Sequence, residues 1–292
     1  MTISSTPRSL TSTLSFLACI GFIACAAPQE TLSNDIGNYL STPDGYELVW
    51  ADEFDTQGLP DAAKWDYDTS RNKDGWWNEE RQYYAKSRSQ NARTENGYLI
   101  IEARKDGDQL SSFPDYGGQE YSSARLFTKG KASWKYGYFE MRAKLPCGRG
   151  LWPAIWTLPE DPGQWPDSGE IDIMEYVGHD SKTFHATVHT RDYNHIIKTQ
   201  IGDTVTIPTA CSRFHTHSLL WTPKAITVAL DGRPYFRYEN DGKGHGSWPF
   251  DQAHHIILNI AVGGTWGGQK GIDAKAFPAQ MEVDYVRVYQ SK

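Results

Sequence analysis

Six consecutive residues, Glu170-Ile171-Asp172-Ile173-Met174-Glu175, place three carboxyl groups on one short segment. Ile171 and Ile173 alternate with acids, the period-two pattern of a strand with one dry face and one wet face. Glu170 and Asp172 therefore point the same way. Glu175 breaks the alternation, and at an offset of five it should face the core. One extra residue, a β-bulge near Met174, returns it to the acidic face. Two unit charges about 5 Å apart repel by roughly 3 kcal/mol at an effective dielectric of about 20, so at least one of the three acids should hold a proton near neutral pH. A charged carboxyl beside a protonated one is what glycoside hydrolysis requires. Four strand steps separate the end Cα atoms by roughly 13 Å, and inward-leaning Glu side chains shorten the carboxyl gap to about 5 to 6 Å, a retaining-glycosidase separation. The alternative is a solvated strand face with scattered acids.

The elements that must hold this row are strands. Short strand-like runs recur from Tyr46 onward: Tyr46–Trp50, Tyr98–Ala103, Tyr138–Leu145, Glu170–Tyr176 and Thr183–Thr190, then Ser218–Trp221, Ala225–Leu230, Pro234–Tyr238, His255–Ala261 and Met281–Tyr289. Asp231-Gly232 between two of them signals a hairpin. Long helical periodicity is absent. Many short strands in a chain of this size mean an all-β sandwich or barrel.

The acidic segment resembles the catalytic motif of glycoside hydrolase family 16, E-x-D-x-x-E, in the bulged form typical of laminarinases. Gly150-Leu151-Trp152-Pro153-Ala154-Ile155-Trp156 is similar to the tryptophan-bearing strand that precedes it in that family. Asn78-Glu79-Glu80-Arg81-Gln82-Tyr83-Tyr84, Ser123-Ala124-Arg125, Val188-His189-Thr190 and Met281–Tyr289 resemble further family segments, in the same order. The resemblance implies a β-jelly-roll sandwich of two antiparallel sheets with an open concave substrate cleft. It implies Glu170 as nucleophile, Glu175 as general acid/base, and Asp172 between them steering the proton.

The same resemblance implies that Asn78 and Arg125 hydrogen-bond sugar hydroxyls and that Trp152 and Trp156 flank the subsites nearest the acids. Trp266 would sit on a loop near the cleft, where Thr265 departs from the Asn usual in laminarinases. His189 is expected on the leaving-group side, near Glu175. Glu79 and Glu80 read as surface charge. A structural Ca2+ far from the chemistry is implied, with Asp284, the carbonyl of Gly97 and Glu53 as ligands, and no cofactor for catalysis. The activity implied is retaining endo-hydrolysis of β-1,3-glucan (laminarin), with mixed-linkage β-1,3/1,4-glucan as a further substrate. Relatives suggest two alternatives: a galactan hydrolase of the agarase or carrageenase type, or a non-catalytic β-glucan-binding module.

Tryptophan and histidine add to this. The chain has 11 Trp residues, more than an ordinary core needs. Trp76-Trp77, Trp152, Trp156, Trp165 and Trp266 lie near turns or polar residues. Each alone reads as core filling; jointly they suggest a cleft with several sugar subsites. His185 and His189 share a strand face, but with His215 and His217 they match no recognised zinc spacing.

The remaining bounds come from the ends, the charge and the cysteines. Residues 1–25 read as a signal peptide, with Arg8 before an apolar run from Leu14 to Ile23 that is too short to span a bilayer. Phe22-Ile23-Ala24-Cys25 fits a lipoprotein box, which would put a lipid on Cys25 as the sole membrane anchor; Ala24-Cys25-Ala26 fits ordinary cleavage. Either way the protein is expected to be secreted or held in the cell envelope. Residues 26–45 are a polar linker, and residues 46–292 one catalytic domain with a full core. A monomer is expected. The formal charge of −7 disfavours nucleic acid and anionic membranes and suits a neutral glycan. Cys147 and Cys211 either pair in an oxidising compartment or remain two buried thiols.

Overall fold

Alternating apolar residues build two stacked sheets whose inner faces make one core. The computed structural model describes residues 1–2, 39–161 and 163–292. Residues 3–25 of the signal peptide, Cys25 among them, and residues 26–38 of the linker lie outside the described residues. A seven-stranded sheet runs in the order Ile201–Thr206, Thr183–His189, Glu170–Glu175, Leu151–Pro159, His254–Val262, Arg125–Phe127, Asp66–Tyr67. The second sheet runs Arg233–Glu239, Ala225–Leu230, His215–Trp221, Gly137–Lys144, Ala279–Ser291, Tyr98–Ala103, Ala92–Glu95, with Tyr46–Asp52 also on Ala279–Ser291. Neighbours in both sheets pair antiparallel. Three short 3-10 turns are the helical content among the described residues. This is the β-jelly-roll sandwich expected.

Ile155, Ile171, Ile173, Phe184 and Val188 from one sheet meet Phe139, Met141, Leu219, Val228 and Val286 from the other. All ten are essentially inaccessible, and burying each is worth about 1.5–3 kcal/mol. Half-buried Trp152 and Trp156 alternate with this inner face on Leu151–Pro159, so they point outward. Asp231 (φ +48) and Gly232 (φ +77) form the hairpin turn that joins Ala225–Leu230 to Arg233–Glu239.

The strand runs legible in sequence all form, with ends shifted by a few residues. Ile201–Thr206 carries little sign of itself, because it is an edge strand whose side chains are mostly exposed. Gln82–Tyr84 and Tyr121–Ser123 make a small parallel pair beside the main sheets, a long-range pairing without local signature.

Candidate active site

The position of Glu175 is decided by strand register. Asp172 stands opposite Trp156 and Glu175 opposite Ala154, while Met174 stands opposite Ile155. Ile173 is thus an extra residue between Asp172 and Met174. On the other side Asp172 faces Thr187 and Glu175 faces His185, again three steps against two. Paired residues share a face, and Trp156 and Ala154 lie two apart. Glu170, Asp172 and Glu175 therefore share one face, and the bulge turns both Ile173 and Met174 into the core, where neither is accessible.

Each outer glutamate receives an indole N–H. Trp165 Nε1 donates to Glu170 Oε2 and Trp152 Nε1 to Glu175 Oε1, both at 3.0 Å. His189 Nε2 lies 3.3 Å from Asp172 Oδ2 and 3.9 Å from Glu170 Oε1. This corrects the expectation that His189 attends Glu175. An antiparallel neighbour runs backwards, so the later histidine meets the earlier acid: His189 pairs with Glu170 and His185 with Glu175.

Burial dominates the electrostatics. It pushes Glu170 up to about 8, aided by the Asp172 charge; His189, the Trp165 N–H and Arg125 pull the other way. Asp172 is raised by burial and held down by a hydrogen bond with Glu170. Glu175 is raised well above the usual carboxylate range, by burial and then by Asp172 and Glu170, with His189 and the Trp152 N–H opposing. All three carboxyls are pushed toward the protonated form, so the row holds protons near neutral pH. A carboxylic acid able to give a proton stands beside a carboxyl assisted toward ionisation.

The outward tryptophans extend this face. Trp266 lies edge-on to Trp152 and to His185, with ring centroids 5.2 and 4.9 Å apart, at the Glu175 end. Trp156 donates to Asn259 Oδ1 at 2.7 Å. The Arg125 guanidinium sits 4.6 Å from the Trp156 ring and 5.3 Å from that of Trp76, with Nε 3.1 Å from Asp68 Oδ2. Asn78 is left-handed (φ +57), and its carbonyl accepts Thr265 N–H at 2.7 Å. That bond joins the Asn78 turn to the loop carrying Trp266. Every residue read as substrate-binding thus lies on or beside the acidic face.

Glu80 was read as surface charge and is not. It is half-buried, accepts Gln82 Nε2 at 2.9 Å, and forms a bridge with Gly263. Burial raises its carboxyl, while Gln82, Arg125 and Asn78 lower it. Its neighbours are cleft residues, which sequence distance hides. Trp165 was one of several cleft tryptophans in sequence; only the fold shows that it grips Glu170. Asn259 gave no signal.

A model of the glycosyl hydrolases family 16 matches residues 79–287. The chain belongs to that family. A beta-glucanase of Rhodothermus marinus is 53% identical over 254 residues, covering 84% of this chain and 85% of that protein. Among family 16 structures, SCLam, a non-specific endo-beta-1,3(4)-glucanase, superposes with a TM-score of 0.85 at 57% identity, covering 87% of this chain and 95% of its own. The laminarinase from Rhodothermus marinus gives 0.79 at 54%, covering 84% and 97%.

The calcium set implied by the family does not fit the observed side chains. Arg287 clasps both oxygens of Glu53, at 2.7 and 2.8 Å, and Arg142 is paired with Asp284. Calcium needs six to eight oxygens, and here each carboxylate is already neutralised by a guanidinium. Gly97 (φ +80) turns the hairpin between Ala92–Glu95 and Tyr98–Ala103. Among the described residues, the cluster with metal-ligand spacing is Glu170, Asp172 and His189, which is part of the acidic row itself.

Proposed function

We propose that this family 16 chain is a retaining endo-hydrolase of β-1,3-glucan that also accepts mixed-linkage β-1,3/1,4-glucan. The observation that carries the reading is the bulge at Ile173-Met174, which sets Glu175 on the face of Glu170. Glu170 attacks the anomeric carbon as the glycosidic C–O bond breaks. Glu175 gives its proton to the departing oxygen, which leaves as a hydroxyl. Glu175, now ionised, takes a proton from water, whose oxygen bonds to the anomeric carbon and releases Glu170. Two inversions retain configuration. Asp172, hydrogen-bonded to Glu170 and raising it by its own charge, keeps Glu170 ionised and Glu175 protonated by turns. No metal or cofactor takes part in this chemistry.

The test is a substrate panel with one variant. The wild type should release reducing sugar from laminarin and mixed-linkage glucan and leave agarose intact, and Glu170→Ala should release none. Cleavage of agarose instead of laminarin, or binding of laminarin without products, would replace the reading by a galactan hydrolase or a binding module.

We propose further that the protein is secreted or held at the envelope through Cys25, as a monomer. The disulfide between Cys147 and Cys211 supports an oxidising compartment.

A further inference from the structure

Trp77 is the one tryptophan among the described residues left largely in solvent, at 62% exposure. Its neighbour Trp76 is buried, with its Nε1 donating to Asn72 Oδ1 at 3.0 Å. Exposed as it is, the Trp77 ring is well held. The Arg71 guanidinium lies 4.0 Å from the ring centroid, and Arg71 Nε is anchored on the Gly75 carbonyl at 3.0 Å. The Trp77 carbonyl accepts Glu80 N–H at 3.2 Å. Asn78 (φ +57) and Glu79 (φ +60) follow in the left-handed region, at a cost of about 1 kcal/mol or more each for residues with a side chain. The bond from Thr265 to Asn78 helps to hold that turn. The strained turn sends Trp76 inward and leaves Trp77 outward.

The turn that carries the ring borders the acidic face, since the Asn78 carbonyl accepts Thr265 N–H on the loop of Trp266. Asp172 is paired with Trp156, Arg125 bridges the Trp156 and Trp76 rings, and Trp77 follows Trp76. One ring face is taken by Arg71. We propose that the other is an outer sugar subsite, where Trp77 stacks on the C–H face of a glucose unit remote from the scissile bond of a bound β-glucan. An indole presents a large flat apolar surface at low entropy cost, and a held ring binds without further ordering. This subsite rests on the β-glucanase reading and adds chain-length dependence to it.

The experiment compares wild type, Trp77→Ala and Trp77→Phe on laminari-oligosaccharides of increasing length and on laminarin. Trp77→Ala should raise KM for laminarin about 3- to 10-fold, as the loss of one aromatic stacking contact implies, with kcat nearly unchanged. The effect should vanish on the shortest oligosaccharide cleaved, and Trp77→Phe should recover most of it. An equal effect at all lengths, or none at any, overturns the proposal. A second measurement stands even where the alanine variant misfolds: acrylamide quenching in the non-hydrolysing Glu170→Gln background. Laminarin should shield the exposed Trp77 component, and Trp77→Phe should abolish that shielding; quenching unaltered by laminarin overturns the subsite. A wild type that cleaves no laminarin overturns the glucanase reading instead.

Discussion

Trp165 donates its indole N–H to Glu170 Oε2 at 3.0 Å, from a loop position five residues before the strand Glu170–Glu175 begins. It opposes the burial that pushes Glu170 up to about 8. Trp165→Phe keeps the ring and removes the donor. A hydrogen bond to a charged group is worth about 1.5–3 kcal/mol, so kcat/KM should fall roughly 10- to 100-fold. Without the donor, Glu170 ionises at higher pH, and the acid limb of the pH–rate profile should move to higher pH. An unmoved acid limb would remove Trp165 from the site.

The acidic row should cost stability. Glu170 rises from 4.5 to about 8 on folding, and Asp172 and Glu175 also rise. The folded state thus holds protons that the unfolded state releases, and stability falls as pH climbs from about 4 toward 8. For Glu170 the penalty near pH 7 is on the order of 3 kcal/mol. Glu170→Gln should raise Tm by several degrees at pH 7, with the gain shrinking by pH 4, while activity is lost. A Tm at pH 7 equal to or below that of the wild type would contradict this account.

Gly264 lies between the Asn78 turn and Trp152. Its φ is +77, and an added Cβ would meet the Asn78 carbonyl at 3.1 Å, Glu80 Cγ at 3.3 Å and Trp152 Cζ3 at 3.4 Å. Gly264→Ala should destabilise the fold by about 1 kcal/mol through backbone strain. It should also raise KM several-fold by displacing that backbone carbonyl and the two side chains, a shift visible in laminarin kinetics alongside thermal melts. Unchanged kinetics would mean that the three can yield without disturbing the cleft.

Cys147 and Cys211 are bonded across a separation of 64 residues. They tie the segment between Gly137–Lys144 and Leu151–Pro159 to the one after Ile201–Thr206. Closing a loop of that length in the unfolded chain is worth roughly 4 kcal/mol. The Cys147→Ser variant should melt roughly 10 °C lower yet remain active at room temperature, because neither sulfur lies in the acidic row. Equal melting of the two proteins would deny the bond a stabilising role.

Legibility differed between local and distant relationships. The strands, the Asp231-Gly232 hairpin and the bulge near Met174 all rest on contrasts between adjacent residues, and all appear where the sequence put them. Glu80 misled because its neighbours Gly263, Gly264 and Arg125 are remote in sequence. The guanidinium partners of Glu53 and Asp284 were hidden in the same way, because Arg287 and Arg142 are remote from them in sequence or on another strand.

By itself, the order of residues 170 to 175 determined that three carboxyls would share a strand and that one extra residue was needed to align them. Side-chain alternation is a local property, so a break in it is visible without any partner. Tertiary structure alone decided which groups act on those carboxyls. Antiparallel register gives His189 to Glu170 and His185 to Glu175, and a loop and a neighbouring strand supply the indoles of Trp165 and Trp152. Proton affinity in a buried row depends on such neighbours and on desolvation, and both exist only once the sheets have closed.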